Sequence, residues 1–311
     1  MSDDRVLLLI GARGFVGRHV HDAARDAGLR VVAADRDGVD GLGCDLLDPD
    51  SIAACVAEAD PRLVINMAGA ASVAKSWERP VEDFAVNATG ALNLLEAVAR
   101  NAADAHVVCV SSAEVYGEPG EGRLPFTENM AAEPLTPYGA AKASMEVLCA
   151  QYARGRGLRV AVIRAFNQIG PGQSPAFAAS GFARQIAAAE IAGEERVELA
   201  VGNLAAARDF TDVRDTARAF AEVARRELTG TFNLCSGRAL RLEALVEEMS
   251  RATPLQVEIR PDPSLSRPVD PTVVYGSPAR LHEAIGWAAE IPLSRTVTDL
   301  LEWWRAELGA A

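Results

Sequence analysis

The sequence predicts an α/β protein, a doubly wound parallel sheet carrying a smaller, partly discontinuous α/β lobe. Three observations predict it. Over the first 165 residues, short apolar runs alternate with longer helical patterns, the signature of β-α-β units in a parallel sheet. The apolar runs are rich in Val, Ile and Leu without polar alternation, as strands covered on both faces should be. After Phe166 the texture changes: Gly170-Pro171-Gly172-Gln173 breaks the pattern, and prolines at 254, 261, 263, 268, 271 and 278 mark a stretch of extended chain or loop.

Taken in order, the predicted strands are Arg5–Ile10, Arg30–Ala34, Leu63–Met67, His106–Ser111, Arg159–Arg164 and, much later, Thr231–Cys235. Between and after them the helical stretches are Val16–Ala27, Asp50–Ala59, Pro80–Asn101, Pro137–Gly155, Ala176–Gly193 and Val213–Glu227. Alanine favours helix at so many positions that periodicity is blurred at the helix ends.

Composition narrows the function. The 311 residues include 31 Lys and Arg against 43 Asp and Glu, a net charge of −12. Such a chain lacks the basic face that a phosphate backbone requires, so nucleic acid is not the expected partner. No membrane is expected either: the longest early apolar run, Val6 to Ile10, has five residues where a spanning helix needs roughly 20. The acidic start, Met-Ser-Asp-Asp-Arg, has no basic n-region of a secretory signal, and a cytoplasmic location is the expectation. Cysteines 44, 55, 109, 149 and 235 are odd in number and lack C-x-x-C spacing, so they read as reduced packing residues. Histidines 19, 21, 106 and 282 show no ligand spacing, and no metal is expected.

Gly11-Ala12-Arg13-Gly14-Phe15-Val16-Gly17 follows the first strand and opens a helix. Glycine at 11 and 14 lets the backbone turn tightly and approach a pyrophosphate, and Gly17 lets helix and strand pack closely. Phe15 and Val16 then lie at the helix N-terminus that would face the anion. Asp35, ending the second strand, can accept hydrogen bonds from an adenosine ribose. The plain alternative is a glycine turn that merely joins strand to helix. Asp35 disfavours a 2′-phosphate, whereas Arg13 and Arg36 would attract one, so both NAD(H) and NADP(H) stay open. A Rossmann-type domain of residues 1–166 plus about 205–237 follows, with a lobe of about 167–204 plus 238–311 and a ligand between them at the strands' carboxyl ends.

Tyr138-Gly139-Ala140-Ala141-Lys142 sets a phenol and an ammonium four residues apart on one helix face. A free tyrosine ionises near ~10, and a neighbouring ammonium is expected to lower that value. The lysine can also hold a cofactor ribose. Ser112, just past the fourth strand, can bond the same substrate oxygen. A surface Tyr and a solvated Lys sharing a helix are the bland alternative; the preceding phosphate loop and Ser112 speak against it.

With these residues in place, the chain resembles the short-chain dehydrogenase/reductase superfamily in its extended branch, which modifies nucleotide sugars. The likeness covers nearly the whole length. It includes Gly11–Gly17, Asp45-Leu46, Asn66-Met67-Ala68-Gly69, Asn87 within Val86-Asn87-Ala88-Thr89-Gly90, and Ser111-Ser112-Ala113-Glu114-Val115-Tyr116-Gly117. Asn66 and Gly69 depart from the branch's more usual His-Leu-Ala-Ala. The resemblance implies that Asp45 and Leu46 flank the adenine, and that Ala68 and Gly69 lie by the pyrophosphate and ribose. It also implies a homodimer, formed through a four-helix bundle of the helices holding Asn87–Arg100 and Tyr138–Arg154.

In the second half, Arg164-Ala165-Phe166-Asn167-Gln168-Ile169-Gly170-Pro171-Gly172-Gln173-Ser174 and Arg208-Asp209-Phe210-Thr211-Asp212-Val213-Arg214-Asp215 look like the GDP-mannose 4,6-dehydratase and GDP-4-keto-6-deoxy-D-mannose reductase families, and more like the reductases. The likeness implies a GDP-linked substrate, NAD(P)H-dependent reduction of a C4 ketone, and GDP-D-rhamnose as product. Arg208 and Arg267 suit a substrate diphosphate because a guanidinium can bond two oxygens; each could instead be a surface ion-pair partner. Asn167 is a candidate amide donor to sugar or diphosphate, or a loop cap. Dehydration needs a base and an acid. Glu114 could be the base, but Ala113 stands where related dehydratases carry Asp or Ser, and a methyl delivers no proton. Rival readings are a 4-epimerase, a 4,6-dehydratase with recycled cofactor, and a non-enzymatic NAD(P) sensor that has no need of the Ser–Tyr–Lys set.

Overall fold

The computed structural model describes residues 3–120, 122–265 and 269–310. Seven parallel strands, numbered here within the central sheet, are β1 (Asp3–Ile10), β2 (Leu29–Asp35), β3 (Leu42–Gly43), β4 (Leu63–Asn66), β5 (His106–Ser112), β6 (Arg159–Ala165) and β7 (Gly230–Leu234). Their order is β7-β6-β5-β4-β1-β2-β3. The chain therefore builds outward from β1 in one direction and then, from β4, in the other. The reversal leaves a crevice at the carboxyl ends of β1 and β4, where doubly wound sheets bind ligands.

Period-two alternation in β1 explains the two-layer packing. Leu8 and Ile10 enter the core beneath the helices Pro49–Ala59, Gly90–Asn101 and Pro137–Arg156. Leu7 and Leu9 enter the opposite core, with residues of Phe15–Asp26 and Val213–Arg225. Both sets are fully buried, so β1 has no solvent face and no polar alternation.

Local chemistry sets the helix ends. Asp48 caps Pro49–Ala59 by accepting from the N–H groups of Asp50 and Ser51, and Thr136 caps Pro137–Arg156 by accepting from Gly139. Each helix places proline in its first turn, where no N–H is missed. Gly157 ends the second one with φ of +74°, the left-handed conformation that glycine adopts freely.

Two expectations need correction. The predicted helix Pro80–Asn101 is interrupted: Pro80–Phe84 is α, Ala85–Thr89 is a π turn, and Gly90–Asn101 is α again. The wide turn carries Asn87, whose Nδ2 donates to Ala70 O at 3.1 Å. The segment assigned to the lobe from 238 onward also returns to the sheet. Ala279–Ile285 packs on β7, and Leu281 and Trp287 join the core on the Val213–Arg225 side.

The lobe has its own core, in which Phe182, Ile186, Leu199, Leu245, Leu300 and Trp304 meet. Its helices are Ala178–Ile191, Leu242–Arg251 and Leu293–Gly309. Arg196–Val201 pairs in parallel with Gln256–Pro261, and Asn167–Ile169 with Phe210–Asp212. Trp304 donates its indole N–H to Ser180 Oγ at 2.9 Å, so it packs rather than offering a stacking face. All five cysteines are free and buried.

Behind the crevice, buried Arg164 clamps Glu146, with Nε to Oε1 at 2.9 Å and Nη2 to Oε2 at 2.7 Å. The Arg164 guanidinium lies 4.7 Å from the Tyr116 ring centre, and Tyr116 donates to Asn233 Oδ1 at 2.6 Å. This chain of contacts joins β6, β7 and the helix Pro137–Arg156.

Candidate active site

The glycine turn after β1 forms where the sequence places it. Gly11 has φ of +79°, and a Cβ there would lie 2.6 Å from Ala68 N. At Gly17 a Cβ would lie 2.0 Å from Gly11 O, so neither position admits a side chain. Gly14 is the N-cap of Phe15–Asp26 and provides no side-chain acceptor, leaving the first-turn N–H groups of Phe15 and Val16 for an anion.

Asp35 is half-buried at the end of β2 and accepts the Arg13 backbone N–H at 3.0 Å. Burial pushes its carboxyl up, while the Arg13 contact holds it down. The Arg13 guanidinium is engaged by both oxygens of Asp37, at 2.8 and 2.9 Å, and Arg36 is exposed beside it. Asp45 shapes its own turn by accepting the Leu47 N–H at 2.9 Å. Leu46 is buried under Gly90, where a Cβ would come within 2.8 Å of Leu46 Cβ. Asn66 Oδ1 accepts the Ala68 N–H at 3.1 Å, which fixes the turn after β4.

Ser112, Tyr138 and Lys142 come together at the end of β5. Each is buried, at 9%, 8% and 7% exposure, although all three are polar. Ser112 Oγ accepts the Glu114 N–H at 3.2 Å and caps the single 3₁₀ turn Ala113–Tyr116. The helix bearing Tyr138 presses onto that turn: a Cβ at Gly139 would lie 2.6 Å from Glu114 O. Lys142 Nζ donates to Val110 O at 2.9 Å and lies 5.8 Å from the Tyr138 ring centre. Burial pulls the lysine down to about 8.

Tyr138 corrects the sequence expectation. Its phenol is pushed up, not down. Burial is the largest cause, the carboxylates of Glu114 and Asp83 add to it, and the Ser112 hydroxyl only partly opposes it.

Two residues enter the site without having been singled out. Asp83 is buried, and Asn87, quoted only as part of a motif, stands over Gly69. A Cβ at Gly69 would lie 2.6 Å from Asn87 Oδ1 and 3.5 Å from Lys142 Nζ. Asn87 Oδ1 and Asp83 Oδ2 are buried acceptors with no donor among the described residues. Ribose hydroxyls would supply donors, and Lys142 has N–H groups left to give. With the glycine cradle, these groups fit a dinucleotide.

On the substrate side, Ala113 is buried and Glu114 is half-buried, with Thr136 Oγ1 3.4 Å from Glu114 Oε2. Asn167 is exposed one residue after Phe166, and its N–H bonds Asp209 O at 3.0 Å. Arg208 is buried, with Nη2 2.5 Å from Asp270 Oδ1 and Nη1 2.8 Å from Pro271 O. Its acidic partner is thus Asp270 rather than Asp209, which accepts from Ser236 and Gly237. Arg267 lies outside the described residues. Among those residues no group of three or more His, Cys, Asp or Glu could hold a metal ion, and no helix is long and apolar enough to cross a membrane.

Comparison with known proteins gives the family and the fold. The family model for GDP-mannose 4,6 dehydratase matches residues 39–300. The chain is 33% identical to a GDP-6-deoxy-D-mannose reductase of Pseudomonas aeruginosa over 97% of its own length and 98% of the relative's. It superimposes on the structure of RMD from Pseudomonas aeruginosa complexed with NADPH with a TM-score of 0.88, at 32% identity and with 97% and 99% of the two chains covered. A Thermus thermophilus UDP-glucose 4-epimerase complexed with NAD gives 0.86 at 28% identity, covering 96% and 99%.

Proposed function

The chain belongs to the GDP-mannose 4,6-dehydratase family within the extended short-chain dehydrogenases/reductases, and from that premise we propose that it is an NAD(P)H-dependent reductase of a nucleotide-linked 4-keto-6-deoxy sugar. The favoured substrate is GDP-4-keto-6-deoxy-D-mannose, and the product is GDP-D-rhamnose. The observation that carries this reading is the likeness to a GDP-6-deoxy-D-mannose reductase over nearly the whole of both chains, joined to a buried Ser112, Tyr138 and Lys142 gathered at the end of β5. Ketone reduction consumes one proton at the carbonyl oxygen, and Tyr138 is the group to give it.

When bound, the reduced nicotinamide supplies a hydride to the C4 carbon. As the carbonyl π pair moves onto oxygen, Tyr138 passes its O–H proton to that oxygen, and the resulting phenolate is reprotonated from solvent. Ser112 bonds the same oxygen and steadies its developing charge. Lys142 and Asn87 would hold the ribose, and the N-terminus of Phe15–Asp26 would take the pyrophosphate. Asp35 favours NAD(H), whereas Arg13, paired with Asp37, and Arg36 would favour NADP(H), so the cofactor is NAD(H) or NADP(H). Glu114 takes sugar hydroxyls as an acceptor. Asn167, Arg208 and Arg267 serve the substrate's sugar and diphosphate, with Arg208 exchanging Asp270 for phosphate oxygens.

Ala113 argues against the dehydratase alternative, since a buried methyl cannot protonate a leaving hydroxyl. An epimerase would use the same Ser112, Tyr138 and Lys142 and is told apart by product rather than by these residues. We place the enzyme in the cytoplasm as a homodimer. Of the two helices expected to pair, holding Asn87–Arg100 and Tyr138–Arg154, the second exposes Val147, and the stretch 73–84 packed against it exposes Trp77, Val81 and Phe84, apolar surface that supports pairing on this side of the chain.

The test incubates purified protein with GDP-4-keto-6-deoxy-D-mannose or GDP-mannose, with NADH or NADPH, and reads product mass. Gain of two hydrogens by the keto sugar, matched by loss of reduced cofactor, is the expected result. Loss of water from GDP-mannose, or no change in either sugar, would overturn it.

A further inference from the structure

The arginine of the glycine turn reaches toward the end of β2, and there it is already engaged. Arg13 gives its Nη1 to both oxygens of Asp37, at 2.8 and 2.9 Å. Asp37 is held from its own side as well, because its Oδ1 accepts the Val39 N–H at 3.2 Å. The turn after β2 therefore presents a carboxylate that is fixed before any ligand arrives. Asp35, two residues earlier, accepts the Arg13 backbone N–H on Oδ2 at 3.0 Å, which leaves Oδ1 for a ribose hydroxyl.

The two nicotinamide dinucleotides differ only at the adenosine ribose that this end of β2 would meet. NAD(H) carries a 2′-hydroxyl there, which needs an acceptor. NADP(H) carries a phosphate with a charge of about −1.5 to −2 at neutral pH, which needs cations. Arg13 and Arg36 stand with Asp35 and Asp37, so these four side chains bring no net positive charge. A phosphate would have to draw Arg13 away from Asp37, and the two carboxylates left behind would then face the new anion. As a surface ion pair, Arg13–Asp37 contributes little by itself. The discrimination comes from the like charge that stays in place when the pair opens.

We propose that Asp37, by keeping Arg13 in a closed pair, makes the chain selective for NAD(H) over NADP(H). The inference rests on the cofactor site of the reductase reading above and adds a specificity-determining residue to it. Asp37→Asn isolates the charge, because an amide oxygen can still accept the Val39 N–H while Arg13 is released. The freed guanidinium could then bond two phosphate oxygens.

The test titrates purified protein, stripped of bound nucleotide, with NADH and with NADPH and follows nicotinamide fluorescence at low and at high salt. At low salt the wild type should bind NADH at least about tenfold more tightly, and added salt should narrow the gap by screening the repulsion. Asp37→Asn should tighten NADPH by about tenfold and leave NADH within about twofold. Arg13→Ala should leave the selectivity of the wild type in place, yet abolish the gain when combined with Asp37→Asn. Equal or tighter binding of NADPH by the wild type overturns the proposal, and so does unchanged selectivity in Asp37→Asn. Preference for NADH in a protein that reduces no keto sugar would sink the reductase reading and leave the selectivity standing. Binding of neither nucleotide would sink both.

Discussion

Replacing Lys142 with methionine should make the fold's stability relative to the wild type greater at neutral pH than at alkaline pH while abolishing its use. Burial lowers the Lys142 ammonium from the ordinary 10.5 to about 8. Each pH unit of that gap corresponds to about 1.36 kcal/mol, so the folded state at pH 7 carries roughly 3 kcal/mol of unfavourable charge burial. Between about 8 and 10.5 the unfolded chain binds a proton that the folded chain has released. Stability therefore rises with pH through that window, and by pH 10 the penalty has shrunk to under about 1 kcal/mol. Methionine fills a similar volume without the charge. The variant also loses the bond to Val110 O, a cost common to both pH values that cancels in the comparison. Urea unfolding of both proteins at pH 7 and pH 10, followed by circular dichroism, should show the variant's relative stability falling by about 2 kcal/mol between the two. A difference independent of pH would refute the reasoning, since it would mean that Lys142 carries no depressed charge.

Other outcomes follow from the same geometry. Tyr138→Phe should cut turnover by about 10²–10⁴-fold, the range for a lost general acid, while cofactor affinity by fluorescence titration stays near that of the wild type; near-normal turnover would remove Tyr138 from its role. Gly17→Ala drives a methyl to 2.0 Å from Gly11 O, so it should cost about 1–3 kcal/mol or more in unfolding free energy and sharply weaken cofactor binding measured by calorimetry. Arg164→Met leaves Glu146 buried without its clamp and should lower stability by about 3–5 kcal/mol, read from the urea midpoint. Val81→Glu combined with Val147→Glu should yield a monomer on light scattering; an unchanged dimer would place the interface elsewhere.

The parts of the site legible in the sequence are those encoded by local spacing. Gly11, Gly14 and Gly17 set a turn whose strand and helix flank it directly. Tyr138 and Lys142 share a helix face by spacing alone, and Ser112 ends an obvious buried strand. What spacing could not reveal was the field acting on Tyr138, because Glu114 and Asp83 reach it from other segments and burial outweighs both. Asp83 carried no signal: it sits in a charged stretch with Glu78, Arg79 and Glu82, where a solvated face is the natural reading. The lobe's strands were hidden for a different reason. Ala207–Arg208, Leu240–Arg241 and Val273–Val274 are each two residues long, too short for any periodicity to show. Ala279–Ile285 looked like lobe because it follows the prolines, yet Leu281 fits the sheet's core.

The return of that helix has a consequence for how such proteins can be rearranged. The chain leaves the sheet after β6, comes back for Val213–Arg225 and β7, departs again, returns with Ala279–Ile285, and ends in the lobe with Leu293–Gly309. At the last passage Asp215 accepts the backbone N–H groups of Glu290 and Ile291 at 2.8 and 2.9 Å, while Trp287 Nε1 donates to Asp215 O at 2.9 Å. The lobe is therefore woven into the sheet rather than appended to it. Many of its contacts join residues far apart in sequence, a topology that slows folding and gives the lobe no single hinge. A foreign lobe could not be grafted by one cut and one join, because each strand-to-lobe passage would need its own matched seam. On the function proposed above, new substrate preferences on this scaffold are more accessible through changes at Ala113 and Glu114, which sit in the turn after β5 and carry none of these passages.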